Sequence, residues 1–342
     1  MPIRLIHVGM GNWGQNWEEQ VLATMPEHVE VVAHVEPHPP TMAAAKARLG
    51  LDDRRSHADL DRALAEVEAD AVLATVPVEA HVPVALAALR AGRHVVVEKP
   101  FAPTVTEAQT VADLAAETGL TAMVSQNYRF YPAVERARAL VASGAMGAVG
   151  AVTVDFRRWI TPGPTSPYGK IAHPLLEDMA IHHFDLVRYV LGTEAESVTC
   201  HAWNPNWSTF AGLPAATAHL AMVGGVGVSY RGNWVSAGPP TAWAGEWRVE
   251  CERGEIVWTS RADDRGLEAE RVVLRPYEGI EVEETLPTPT HWGRAGVMLA
   301  LAEAVERGVR PACDAADNLH SLALSAAVIE ANATRRTVTL GG

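Results

Sequence analysis

Apolar positions in the first third of the chain follow two alternating rhythms. Runs apolar on both faces fall at 3–8, 29–35, 69–75, 94–97 and 121–125, and they read as buried strands. Between them apolar residues return every three or four positions. Helices are therefore expected from about 14 to 25, then at 41–49, 57–66, 79–91 and 104–118. Gly92 supplies a helix stop, and Thr104 with Glu107 reads as a capping box. Strict alternation of strand and helix predicts a parallel, doubly wound sheet.

The rhythm changes near 125. A helix is expected from about 132 to 143, a strand at 148–158, and a loop over 159–174, where prolines and glycines cluster. The helical spacing returns at 175–191. Strands then crowd together at 196–203, 215–222, 226–235, 246–252, 255–259, 270–275 and 280–286, before helices at 291–307 and 314–333. Strands so close, without helices between them, predict an antiparallel sheet. The expected fold is α/β: an N-terminal doubly wound parallel sheet (1–124), plus a C-terminal α+β domain (125–342) with a large, mostly antiparallel open sheet.

The chain has 342 residues. Two domains agree with that length, since single cores rarely grow past about 250–300 residues. A net charge of −13 without a basic cluster argues against nucleic acid or an anionic membrane as partner. No apolar run approaches the roughly 20 residues of a membrane helix, and the N-terminus lacks the pattern of a signal peptide. Cys200, Cys251 and Cys313 are widely spaced and form no ligand cluster. Together these features lead us to expect a reduced, cytoplasmic chain.

Three places carry candidate chemistry. Gly9, Met10, Gly11, Asn12, Trp13 and Gly14 form a G-x-G-x-x-G between a strand and a helix, the context in which backbone approaches a pyrophosphate. The second strand ends in Glu36, about 20 residues on, where a carboxylate accepts ribose hydroxyls and repels a 2′-phosphate. NAD is therefore favoured over NADP. The strand at 94–97 runs into Glu98, Lys99 and Pro100 at the carboxyl edge of the sheet, where ligands bind in open α/β sheets. Thr75 and Pro77 end a neighbouring strand at the same edge. Finally, Asp178 and His182 lie four apart in a helix, one turn from each other. A carboxylate there can orient an imidazole that works as a general base. A solvent-facing Glu–Lys or Asp–His pair is the plainer alternative in each case. Asp178, His182 and His183 do not share one helix face, so no metal site is expected.

With these residues in view, the chain resembles the Gfo/Idh/MocA family of oxidoreductases (glucose-fructose oxidoreductase, inositol dehydrogenase and rhizopine catabolism proteins). The resemblance rests on Gly9 to Gly14, Thr75 to Pro77 with His81, Glu98 to Pro100, Asn127 to Phe130, and Asp178 with His182. It implies a Rossmann domain with a nicotinamide site that includes Thr75, Pro77, His81, Glu98, Lys99 and Gln126. It implies substrate held between Lys99 and the Asp178 helix, and a homodimer or homotetramer formed through the C-terminal sheet. Family members often carry glycines where Ala172, His173 and Pro174 stand here, so the resemblance does not carry substrate identity with it.

The expected reaction is hydride transfer between nicotinamide and a secondary alcohol of a sugar, cyclitol or related polyol. His182 is expected to take the proton, Lys99 to stabilise the alkoxide, and Asp178 to orient His182 or bind a neighbouring hydroxyl. Arg157, Trp159, Lys170 and His173 flank the expected substrate site and are candidates for specificity. Two alternatives share the scaffold: a redox-neutral NAD-dependent lyase or glycosidase, and a non-catalytic NAD-binding sensor.

Overall fold

The computed structural model describes residues 1–163, 166, 168, 171–262 and 266–341. By contacts the chain forms two units, Met1–Asn127 with Arg294–Leu322, and Tyr128–Gly293 with Ala323–Gly342.

The first unit follows the alternation in the sequence. Its elements are β1 (Ile3–Val8), α1 (Asn12–Gln20), β2 (Val29–Val35), α2 (Pro39–Leu49), β3 (Ser56–His57), α3 (Leu60–Glu66), β4 (Ala71–Ala74), α4 (His81–Arg90), β5 (His94–Val97), α5 (Val105–Thr118) and β6 (Ala122–Val124). The six strands are parallel, in the order β3-β2-β1-β4-β5-β6. The order reverses direction between β1 and β4, and the loops after these strands flank the switch point where such sheets bind ligands. Strand β4 is buried throughout and β5 over its last three residues, because helices cover both faces.

Two boundaries differ from expectation. The helix expected from 57 starts at Leu60, because the Asp59 side chain accepts the N–H of Arg62 at 2.8 Å and caps it there. The two residues Ser56 and His57 pair with β2 as β3 instead. The helix expected to reach 25 ends at Gln20, and a 3₁₀ turn, Leu22–Thr24, follows. The capping box is present: Thr104 Oγ1 accepts the N–H of Glu107 at 3.2 Å and donates to its carboxylate at 2.8 Å.

The second unit contains α6 (Pro132–Ala142), β7 (Val149–Arg157), α7 (Ala180–Leu191), β8 (Ala195–Trp203), β9 (Ala215–Met222), β10 (Gly227–Asn233), β11 (Glu246–Cys251), β12 (Gly254–Thr259), β13 (Arg271–Pro276) and β14 (Val282–Glu283). After these come α8 (Gly293–Arg307), α9 (Ala315–Thr334) and β15 (Val338–Thr339). Among the described residues nine strands pair in the order β14-β13-β12-β11-β7-β10-β9-β8-β15. All pairs are antiparallel except β10 with β7, which run parallel. One face carries Val152, Val154, Phe156, Val249 and Ile256 with the stacked pair Trp247–Trp258, 4.5 Å apart, into a core shared with Phe184 and Val187 of α7. Alternate residues such as Thr153 and Arg248 are exposed on the other face.

Chain order alone places α8 and α9 with the second sheet. Contacts instead put Arg294–Leu322 with the first unit. Ala315 and Leu322 pack in the same apolar core as Val97 and Val124, and the N–H of Val124 bonds to the carbonyl of Cys313 at 3.0 Å. Among the described residues no helix is long and apolar enough to cross a membrane.

Candidate active site

In the first unit, Gly9 takes φ +95°, and a Cβ there would meet Thr75 backbone at 2.9 Å. A Cβ at Gly14 would stand 1.9 Å from the Gly9 carbonyl, so helix α1 packs against the loop through a position open only to glycine. Gly11 caps α1 with no side-chain acceptor, and a Cβ on it would meet nothing within 4 Å. A helix start without a side-chain cap, beside open backbone, suits a pyrophosphate. Glu36 binds back onto this loop, its carboxylate accepting the N–H groups of Met10 and His38, both at 2.9 Å. Met10 itself is fully buried beside Met42 and Ala45, so its side chain faces the core. Asn12 and Trp13 are exposed.

Beneath the loop lies a buried network that the sequence did not reveal. Glu18 of α1 meets His7 Nδ1 at 2.6 Å and His34 Nε2 at 3.0 Å. His7 Nε2 lies 2.9 Å from the Thr75 hydroxyl, which donates to the Gly9 carbonyl at 2.7 Å. Burial raises the Glu18 carboxyl, but its hydrogen bonds to His34 and His7 outweigh this and hold it at about 2. Thr75 is thus engaged in holding the glycine loop.

At the end of β5, Glu98 is buried and accepts Trp17 Nε1 at 2.7 Å and the N–H of Lys99 at 3.1 Å. Trp17, itself fully buried, therefore fixes the carboxylate that neighbours Lys99. Lys99 is half-buried, and its bond to Pro100 is cis. Both ring nitrogens of His81 face backbone carbonyls, Pro100 at 2.8 Å and Val76 at 3.0 Å. His81 thus ties the loops after β4 and β5 together. Pro77 is exposed at the start of the turn before α4. Among the described residues neither the nitrogen nor the oxygen of the buried Gln126 side-chain amide has a partner, and the Ser125 hydroxyl is in the same condition. Such orphaned groups suit a ligand that brings its own donors and acceptors, as a nicotinamide carboxamide does. The residues present therefore fit a bound dinucleotide.

In the second unit, the helix of Asp178 and His182 departs from the regular winding expected. Leu175–Met179 is a π turn, closed by the N–H of Ala180 on the Leu175 carbonyl, and α7 follows it. Asp178 sits in the π turn, a distortion common at functional sites. It receives the hydroxyl of Tyr168 from the preceding loop; burial, then the charge and hydrogen bond of Asp178, push that hydroxyl up to about 12. His182 is 5% exposed and stacks on Tyr128, with ring centroids 4.0 Å apart and planes within 3°. His183, next in sequence, points elsewhere. Its ring meets Tyr230 Oη at 3.1 Å and the Trp243 carbonyl at 3.0 Å, and burial lowers it to about 4. One turn on, Asp185 forms a buried bidentate pair with Arg129, at 2.7 and 2.5 Å. That pair ties the segment bearing Tyr128 to the helix bearing His182.

The expected specificity residues are sorted by strand phase. Val152, Val154 and Phe156 of β7 face the α7 side, so Arg157 faces away from it. It pairs with Glu246 at 3.0 Å and Asp155 at 3.5 Å on the opposite face. The arginine on the α7 side is Arg158, stacked at 4.5 Å over Trp243, which itself contacts Phe156. Trp159 is 51% exposed beside it. His173 is engaged by Glu177 at 3.5 Å and Asn332 at 3.3 Å. Lys170 lies outside the described residues.

Residues 3–126 match the model of an oxidoreductase family with an NAD-binding Rossmann fold, GFO_IDH_MocA, and residues 134–257 match the GFO/IDH/MocA C-terminal domain. A dTDP-3,4-didehydro-2,6-dideoxy-alpha-D-glucose 3-reductase of Streptomyces violaceoruber is 30% identical over 258 residues, covering 72% of this chain and 70% of that protein. The chain belongs to the Gfo/Idh/MocA family. It is accordingly an NAD-binding oxidoreductase, with relatives named as dehydrogenases. An uncharacterized protein of Sinorhizobium fredii, y4oX, is 27% identical over 345 residues, covering 96% of this chain and 93% of that one. Matches to several other curated relatives span about half of their length or less. An inositol dehydrogenase homolog from Azotobacter vinelandii, solved with NADH and myo-inositol, shares the fold at TM-score 0.84 and 20% identity, over 99% of this chain and 98% of that one.

Proposed function

We propose that this oxidoreductase transfers hydride between NAD and a secondary alcohol of a sugar, cyclitol or related polyol. The observation that carries this is the setting of His182: a buried imidazole stacked on Tyr128, four residues after an Asp178 already oriented by Tyr168. Stacking fixes the ring plane, so one edge is presented consistently to a substrate hydroxyl. His182 takes the hydroxyl proton, and Asp178 binds a neighbouring hydroxyl or steadies the imidazole. Lys99, supported by the Glu98–Trp17 hydrogen bond, donates to the oxygen that gains negative charge. When bound, NAD supplies the hydride acceptor at C4 of its nicotinamide.

Two features support the finer choices. Glu36 is held at the end of β2 by two backbone N–H groups, where its charge opposes a 2′-phosphate and favours NAD over NADP. The sugar-nucleotide reductase and the myo-inositol-bound homolog among its relatives favour a polyol or sugar substrate. We place a homodimer or homotetramer contact on the open face of the second sheet, where Thr153, Arg248, Val257 and Val273 line a groove of about 430 Å³.

The test is a panel of inositols, hexoses, pentoses and sugar acids, each offered with NAD and with NADP, following nicotinamide absorbance. Reduction of NAD by one group of polyols is expected. Binding of NAD without reduction by any member, or preference for NADP, would overturn the assignment it bears on.

A further inference from the structure

Strand β7 ends at Arg157, and the next residues line a cavity of about 410 Å³ in the second unit. Arg158, Trp159, Ser236, Gly238 and Trp243 are among its walls. Arg158 has no carboxylate partner among the described residues. Its contacts there are the face of Trp243, at 4.5 Å, and the Ala262 carbonyl, at 3.4 Å, while its Nε is buried without a partner. Stacking occupies the face of a guanidinium and leaves its edge donors for an anion lying in the same plane.

A second guanidinium stands beside it. Arg261 lies 5.8 Å from the centroid of the same Trp243 ring and 4.4 Å from that of Tyr128, to whose hydroxyl it also donates. Its backbone holds φ 61°, a left-handed conformation uncommon for a residue with a side chain, and its N–H is pinned by Glu270 at 2.7 Å. Burial first, and then the charge of Arg261, depress the Arg158 guanidinium from its usual range, although Tyr128 opposes this. Arg261 is one ring from the proposed base, because the Tyr128 ring it covers stacks on His182.

We propose that Arg158, with Arg261 beside it, is the anion-binding part of the substrate site. The substrate is then a sugar acid or other carboxylated polyol, not a neutral one; this refinement rests on the hydride-transfer function proposed above. In a chain of net charge −13, an anionic substrate needs such a local reversal of sign. A phosphate monoester presents the same shared chemistry, an anion with paired oxygens, and the test separates the two sources.

The experiment is calorimetric titration of the NAD-saturated enzyme with D-glucuronate, D-gluconate, glucose 6-phosphate and myo-inositol. A carboxylate probe is expected to bind at least about tenfold tighter than myo-inositol, in the range of a charge-assisted hydrogen bond. Arg158→Gln is expected to weaken that probe by about 10- to 100-fold, with NAD affinity unchanged, and Arg158→Lys to recover part of the loss. Acids binding no tighter than myo-inositol, or an Arg158→Gln enzyme with acid binding intact, would overturn the proposal. Glucose 6-phosphate binding alone would overturn the carboxylate class. Selectivity of the wild-type protein decides the matter even where the variant does not fold. Acids that bind tightly yet leave NAD unreduced would count against the hydride-transfer function and not against the subsite.

Discussion

Replacing Glu18 with Gln probes the buried network under the glycine loop. The carboxylate is held near 2, against an ordinary 4.5, by two histidines it contacts at 2.6 and 3.0 Å. A depression of about 2.5 pH units, at about 1.4 kcal/mol each, corresponds to about 3 kcal/mol of folding stability. Because the folded-state value is lowered, this contribution is complete above the unfolded value near 4.5. It is lost as pH falls from there towards 2. Urea unfolding at a series of pH values reads it directly. The wild-type protein is expected to exceed Glu18→Gln by about 3 kcal/mol at neutral pH, with the difference closing between pH 4.5 and 2. Parallel stability curves for the two proteins across that window would refute the reasoning.

Further outcomes follow from single contacts. Asp185→Asn leaves Arg129 buried beside a neutral partner and is expected to cost about 3–5 kcal/mol in unfolding. The double change Arg129→Met with Asp185→Leu is expected to recover most of that loss. Trp17→Phe removes the donor to Glu98 and is expected to cost about 1–3 kcal/mol, with lower turnover because the carboxylate beside Lys99 is no longer fixed. Arg157→Ala removes only partly exposed ion pairs and is expected to leave KM within about twofold, measured on the same substrate as Arg158→Gln.

The glycine loop and the carboxyl edge of the first sheet were legible because their signals are local. Glycines at 9, 11 and 14, a carboxylate ending the second strand, and Glu98 with Lys99 after the fifth all act within a few residues of where they stand. Five of the six strands follow from the same alternation, whereas the two-residue β3 falls where a helix was expected. Contacts that depend on distant chain were not legible. Nothing in the spacing of Glu18, His7 and His34 shows that they converge, and the one parallel pair in the mostly antiparallel sheet, β10 with β7, arises because β7 enters the middle of the sheet. The regular helix expected through Asp178 missed the π turn, and with it the role of Tyr168. Tyr128 stood within a recognised motif, but its stacking on His182 is a tertiary fact. Val152, Val154 and Phe156 fix the phase of β7, and that phase, legible in the alternation, turns Arg157 away from α7.

The most direct measurement is single-turnover reduction of NAD by the Lys99→Met enzyme, alongside its affinity for NAD, with whichever polyol the wild-type protein oxidises. Unchanged NAD affinity and a rate lower by about 10² to 10³ or more are expected, as for loss of a preorganised group facing developing charge. A rate within about tenfold of wild type would contradict the placing of Lys99 at the reacting oxygen.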